Sequence, residues 1–279
     1  MWSSLRRSKT GLLGLFIVVI VILIALTAPF ISPYDPGAQD LAHKLIPPIW
    51  SKGGNLQFLL GTDQLGRDVL SRLLYGSRIS LIIALSGTVV AGVVGVVLGA
   101  LSGYYGGLVD SIIMRIVDIQ LSFPFILLAL FIVSVLGSSV VNIILVAGLS
   151  SWVRYARLTR GEILAAKESE YVEAIRSLGG SDVRIIFKHI LPNIVSPVII
   201  IATLEMAKII LMEASLSFLG LGVPIEIPTW GRMLSDSRVF IVSNPWMAVL
   251  PGIAITLTVL GVNLTGDWLR DFLDPKLDI

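Results

Sequence analysis

The sequence predicts an all-α membrane protein, with six transmembrane helices and a cytoplasmic helical loop between two of them. Three observations predict it. Hydrophobic residues fill 55% of the 279 positions and charged residues only 14%, where a soluble domain carries roughly 25% charge. Several runs of near-spanning length are uncharged, with a mean hydropathy over the chain of +0.89, and about 20 apolar residues suffice to cross the hydrocarbon. Finally, one stretch between two such runs, residues 154–193, is rich in charge and helix formers, although connectors without structure of their own seldom exceed about 15 residues. The same balance excludes soluble, disordered, collagen-like and nucleic-acid-binding classes. A net charge of +2 offers no bulk field for nucleic acid, and the lack of any cysteine removes disulfides, thiol catalysis and Cys-ligated metals.

The first span, Gly11 to Ile31, follows Arg6, Arg7 and Lys9. Its length, beyond the 7 to 15 residues or so of a signal-peptide core, and the spans that follow favour a retained helix over a cleaved leader. Residues 1–31 thus form a cytoplasmic N-terminus and first helix. An outer loop follows over residues 32–78. Pro33, Pro36, Pro47, Pro48, Gly53 and Gly54 oppose regular structure in its first half. In its second half Leu65, Val69, Leu70, Leu73 and Leu74 recur at helical spacing, with Asp68, Ser71 and Arg72 opposite; this predicts an amphipathic helix over 61–76, on the outer membrane surface or against the bundle.

The core, residues 79–279, holds the remaining spans: Ile79 to Tyr104, Ile112 to Leu136, Val140 to Val153, Ile194 to Gly222 and Trp246 to Gly266. In the second, Ala91, Gly95, Gly99 and Gly103 repeat every fourth position, a face bare enough for another helix to approach closely. Basic residues set the orientation. With the N-terminus inside, 13 Lys and Arg fall on inner segments and 7 on outer ones, so both termini are predicted cytoplasmic. Trp2, Trp152, Trp246 and Trp268 lie near span ends, as headgroup-level rings do.

Within the 154–193 segment, Glu170 to Leu178 has Tyr171, Ala174, Ile175 and Leu178 along one face, Gly179-Gly180 as a stop, Ser181 and Asp182 opening a second short helix, and Pro192 closing it. Such a hairpin either rests on the inner leaflet or seats in the groove of a soluble partner. Here the residues carry a likeness. Glu173, Ala174, Ile175 and Gly179, followed by Leu191-Pro192, resemble the EAA loop of ABC-importer permeases, with Ile175 in place of the second alanine and His189 in place of an isoleucine. The segments Gly61 to Arg72, Ala214 to Gly222, Thr229 to Gly231 and Gly266 to Pro275 are similar to the second permease of dipeptide, oligopeptide and nickel importers. The likeness covers nearly the whole chain.

That resemblance implies a type I ABC-importer permease fold in the cytoplasmic (inner) membrane of a prokaryote, surrounded by lipid. It implies a homologous second permease, two ATPase subunits and an extracytoplasmic substrate-binding protein as partners. The coupling residues would be Glu173, Ala174, Ile175, Gly179, Gly180, Leu191 and Pro192. The cargo would be dipeptides or short oligopeptides, with nickel or a metal chelate as the alternative. An ion channel or an intramembrane hydrolase are readings of a different class, opposed by the long docking loop and by the lack of a paired intramembrane His or Asp motif.

The chain itself is expected to bind no cofactor and to be no enzyme. A phosphate-cradling loop needs G-x-x-x-x-G-K-[ST], and Lys9-Thr10 lacks the upstream glycines; ATP and magnesium would bind on the ATPases. His43 and His189 fall on opposite membrane faces, so no metal site is expected. The fifth span carries Glu205, Lys208 and Glu213, and charge inside a bilayer faces a partner, a cavity or a counter-charge. Spacing lets Glu205 and Lys208 pair and turns Glu213 away. The three are the candidate lining of a translocation path, with a self-neutralising pair as the alternative.

Overall fold

A computed structural model describes residues 8–273. Trp2, Arg6, Arg7 and Pro275, used above for orientation and likeness, lie outside the described residues, as does Lys276, one of the 13 inner basic residues. Nine α-helices of eight residues or more order the described chain. They are α1 (Lys9–Ile31), α2 (Val69–Tyr105), α3 (Gly107–Ser122), α4 (Phe125–Leu136), α5 (Val140–Lys167), α6 (Glu170–Ser177), α7 (Val195–Phe218), α8 (Trp230–Ser237) and α9 (Trp246–Leu273). No strand occurs among the described residues beyond one isolated bridge between Thr62 and Asp68. On length and composition four helical stretches can cross a membrane, and five if α3 and α4 count as one bent span. At 28 residues α5 reaches about 42 Å at 1.5 Å per residue, but with arginines in its second half it is not counted among the apolar stretches, so four or five stand where six were expected.

The close-packing face behaves as its composition predicts. The partner of α2 is α5, the most extensive helix pair in the fold. A Cβ on Gly95 would stand 2.4 Å from the Trp152 carbonyl oxygen and 2.4 Å from Tyr155 Cβ, and one on Gly99 2.5 Å from the Ala156 carbonyl oxygen. The glycines are therefore filled by helix backbone and line no pore. Around this pair Ile83, Ala84, Ile143, Ala147, Ile209 and Ile210 form the main buried core. Helix α1 lies along α9, with Gly14 against Leu264 and Gly261 against Ile17.

Three expectations are corrected. The amphipathic segment is no separate surface helix: residues 61–68 are loop, and Val69 begins α2, which runs 37 residues without a break after Asp68 caps it through Ser71 N. The third span is broken. Pro124 has no N–H to continue a helix and forces the residue before it to extended geometry; Phe123 adopts φ −91°, ψ 132°, and the chain bends by 95° between α3 and α4. The inner loop, too, is reorganised. Arg154 to Lys167 continue α5, and Pro192 closes no second helix. Ser181 makes no side-chain cap; Asp182–Arg184, a π-helical Ile185–Ile190 and a 3-10 turn Leu191–Ile194 lead directly into α7.

Between α1 and α2 the proline-rich half of the loop is irregular apart from one 3-10 turn, Leu41–His43, and is pinned to residues 59–65. Asp40 N donates to Leu65 O at 3.1 Å, Leu45 N to Asp63 O at 3.0 Å and Thr62 N to Ile46 O at 2.9 Å. Beneath it lies a buried ionic cluster. Arg67 and Arg72 each bond both Asp63 (2.7 and 2.7 Å) and Asp236 (3.0 and 3.1 Å), and Arg232 adds a bond to Asp236 at 2.9 Å.

Candidate functional site

The inner loop is held by its apolar side and displays the rest. Val172 is fully buried with Ile163, Ile185, Ile186 and Ile190, and Ile175 and Leu191 pack partly against them. Of the residues expected along one apolar face, Tyr171, Ala174 and Leu178 are exposed, Leu178 at 87%, while Ile175 turns partly into the core. Glu173 and Pro192 are exposed as well. The helix stops where Gly179 takes φ +81°, a left-handed backbone that glycine adopts without penalty. Gly180 N then donates back to Ile175 O at 3.0 Å, and a Cβ at Gly180 would meet Ile175 Cγ2 at 2.6 Å.

Polar contacts tie this loop to the inner end of α2. Tyr104 OH donates to Asp182 Oδ1 at 2.7 Å, and the Arg176 guanidinium sits 6.0 Å from the Tyr104 ring centroid. Arg160 is bonded by both Nε and Nη2 to Asp110, each at 2.6 Å. The loop is thus packed on the ends of α2 and α5 and bonded to α2, while Arg160 ties α5 to α3. His189 lies here with Asn193 donating to its carbonyl oxygen at 2.9 Å, whereas His43 bonds Asp40 in the outer loop at 2.6 Å.

The second feature lies at the middle of the bundle. A cavity of roughly 370 Å³ opens where α3 breaks, bounded by Gln120, Phe123, Ser150, Arg154, Glu205 and Lys208 among others. Glu205 and Lys208 do pair, Nζ to Oε1 at 3.0 Å. A third charge, unforeseen in this role, joins them: Arg154 Nη1 lies 2.5 Å from the same Glu205 Oε1. The carboxylate is 1% exposed, while the Arg154 and Lys208 side chains are about half exposed, at 51% and 53%. Trp152 Nε1 donates to Gln120 Oε1 at 2.8 Å, and Gln120 Nε2 donates to the Leu149 carbonyl, so the break in α3 is pinned to α5. Glu213 stands apart. It is buried and accepts bonds from Ser217 Oγ at 2.7 Å and Thr229 Oγ1 at 2.8 Å, a clasp between α7 and the start of α8 rather than a cavity wall.

Arg154 was detectable. An apolar run of 14 residues, Val140 to Val153, is too short to span, so a spanning helix there would have to run on through Arg154. No comparable signal joined Asp63 to Asp236 across the sequence.

A family model described as "Binding-protein-dependent transport system inner membrane component" matches residues 95–279, two thirds of the chain. The chain belongs to this family. A second model, the N-terminal TM domain of oligopeptide transport permease C, matches residues 1–48. The permease is 47% identical over 276 residues to the dipeptide transport system permease protein DppC of Escherichia coli strain K12, covering 99% of this chain and 92% of that protein. It is 41% identical over the same length to the glutathione transport system permease protein GsiD of Pectobacterium atrosepticum, covering 99% and 90%. Among solved structures, an inward-facing MetNI methionine ABC transporter chain is similar in fold, with a TM-score of 0.60 at 18% identity, covering 73% of this permease and 96% of that chain. The protein is a multi-pass inner-membrane permease subunit of ABC-importer type.

Proposed function

We propose that this permease carries dipeptides or short oligopeptides into the cytoplasm, as one of a pair of permeases driven by two ATPase subunits and supplied by an extracytoplasmic binding protein. The observation that carries the reading is the union of two features on α5. Its middle supplies Arg154 to a charged cavity in the bundle, and its inner end leads into a loop presenting Glu173, Ala174 and Leu178 outward. Movement of the loop by a soluble motor is then felt at the cavity through one continuous helix. The cavity's excess positive charge suits the carboxylate that a peptide carries, and near-full-length relatives are named for dipeptide and glutathione transport.

In this reading both termini and the inner loop face the cytoplasm. Glu173, Ala174, Ile175, Gly179, Gly180, Leu191 and Pro192 form the coupling element, of which Ile175 and Leu191 hold the loop's core and the others shape its surface. Glu205 and Lys208, with Arg154, line the path. ATP and magnesium bind on the ATPase subunits. Nickel or a metal chelate fits less well, because the cavity's one carboxylate is already engaged by two cations. The test is uptake by the reconstituted complex with its binding protein in proteoliposomes. ATP-dependent accumulation of labelled dipeptide supports the reading; accumulation of nickel alone overturns it.

A further inference from the structure

The cavity charges do not cancel. Arg154 and Lys208 are both cations and share one oxygen of one carboxylate, Glu205, which leaves one positive charge over. The neighbouring arginines are already matched, Arg157 with Asp118 at 2.8 Å and Arg160 with Asp110 at 2.6 Å, so no second acid among the described residues answers the excess. Both cations are half exposed and line the cavity, so the excess charge is accessible to an anion that enters it. Arg154 is built to receive one. Only its Nη1 is engaged, and the rest of the planar fork suits a carboxylate better than a lysine ammonium would.

The volume, roughly 370 Å³, falls within the roughly 300 to 1,000 Å³ of small-molecule sites. Both cations are half exposed toward that volume while Glu205 is sealed beneath them. An entering ligand therefore meets positive charge first. Glu205 does not offer an equal site for an ammonium group, because the two cations stand over it.

We propose that Arg154, supported by Lys208, is the receptor for the α-carboxylate of the transported peptide, and that Glu205 holds the two cations in place. The cavity then selects for a free C-terminal carboxylate and is indifferent to the N-terminal ammonium. This rests on the peptide-importer reading and names the group recognised within it.

The chain has no cysteine, so single thiols introduced at Ser150 or Met212, both on the cavity wall, report its occupancy in the assembled permease–ATPase complex. Labelling of each by a neutral maleimide is timed with alanyl-alanine, its N-acetyl derivative or its C-terminal amide. The free and N-acetyl peptides should slow labelling alike, and the amide should protect at least about tenfold more weakly, the loss expected for one charge-assisted hydrogen bond. Arg154→Gln should abolish the difference between free peptide and amide. Equal protection by amide and free peptide, in the cavity as it stands, overturns the inference without recourse to that variant. So does an Arg154→Gln complex that loses its second permease yet keeps the preference, since the excess charge then answers an acid of the partner. Dipeptide uptake by the intact importer with no such preference overturns this inference alone; failure of uptake overturns it together with the peptide reading.

Discussion

Arg72 and Asp236 are 164 positions apart and meet at 3.1 Å, with 2% and 7% of their side chains exposed. The contact joins the first turn of α2 to the last turn of α8 and closes the end of the bundle at which α2 begins. Asp63 and Arg67 extend it to the loop ahead of α2, and Arg232 braces it within α8. Three arginines share two aspartates, so the cluster is already one negative charge short.

That imbalance makes the two halves of the contact unequal. Asp236→Asn leaves three arginines around Asp63 alone and should destabilise the complex by about 3 to 5 kcal/mol, as expected when a buried ion loses its partner. Arg72→Met leaves two arginines for two aspartates and should cost clearly less. Thermal melts of the purified complex in detergent compare them; equal losses, or a larger one for Arg72→Met, would show that packing and not charge count governs the cluster.

Close packing between α2 and α5 yields a sharper contrast. Gly95→Ala places a methyl group against the Trp152 carbonyl, whereas the nearest atom to a Cβ at Gly92 is Tyr155 Cε1 at 3.6 Å. Gly95→Ala should cost about 1 to 3 kcal/mol by overpacking, and Gly92→Ala should leave the melting temperature nearly unchanged. A tolerated Gly95→Ala would mean that the two helices separate easily.

The glycine stripe was legible because it has a period, and the apolar helices because hydrophobic length is local; the break at Pro124 inside the run Ile112 to Leu136 was equally local but is hidden by the run's hydrophobicity. Arg154 was misplaced for an instructive reason. A charge ends an apolar run, but a helix ends where its backbone does, and α5 has no proline: it runs on past Arg154, Arg157 and Arg160 and through Gly161 to Lys167. The inner loop failed differently. Periodicity identified an amphipathic α6 but not which apolar residues faced in; Val172 was taken into the core by the isoleucines of 185–190, a partner that lies beyond any local window. The ionic cluster required pairing across 164 positions, for which residue spacing holds no information.

Topology can be checked directly. A reporter active only outside the cytoplasm, fused between Gly53 and Gly54, should be active, because those residues lie in the loop beyond α1. The same reporter at Ser181 should be silent. Reversal would invert the coupling role along with the orientation.

Gly179 separates backbone from bulk. Its φ is +81° and nothing lies within 4 Å of a Cβ there, so substitution is limited by conformation and not by space. Gly179→Asn should keep most transport, since asparagine tolerates the left-handed region, while Gly179→Val should lose it at a penalty of about 1 to 2 kcal/mol in local structure. Both should insert and pair normally. Normal co-purified ATPase and full uptake in Gly179→Val would remove this turn from the transmission.

The triad at the cavity makes the last prediction a three-body one. For a simple pair, Glu205→Gln would be rescued by Lys208→Met. Arg154 changes that. Glu205→Gln leaves two cations facing each other across a sealed amide, and removing Lys208 still leaves Arg154 without its carboxylate, so the double variant should recover only part of the lost stability. Recovery should require Arg154→Met as a third change. Lys208→Met alone retains the matched Arg154 and Glu205 and, because the lysine is half exposed, should shift stability by less than about 1 kcal/mol. Uptake is expected to separate from stability: the triple variant should melt near the wild type yet fail to transport, because the cations that face the cavity are gone. If the Glu205→Gln, Lys208→Met double variant regained both full stability and full uptake, Arg154 would be a bystander, and these charges would serve packing alone.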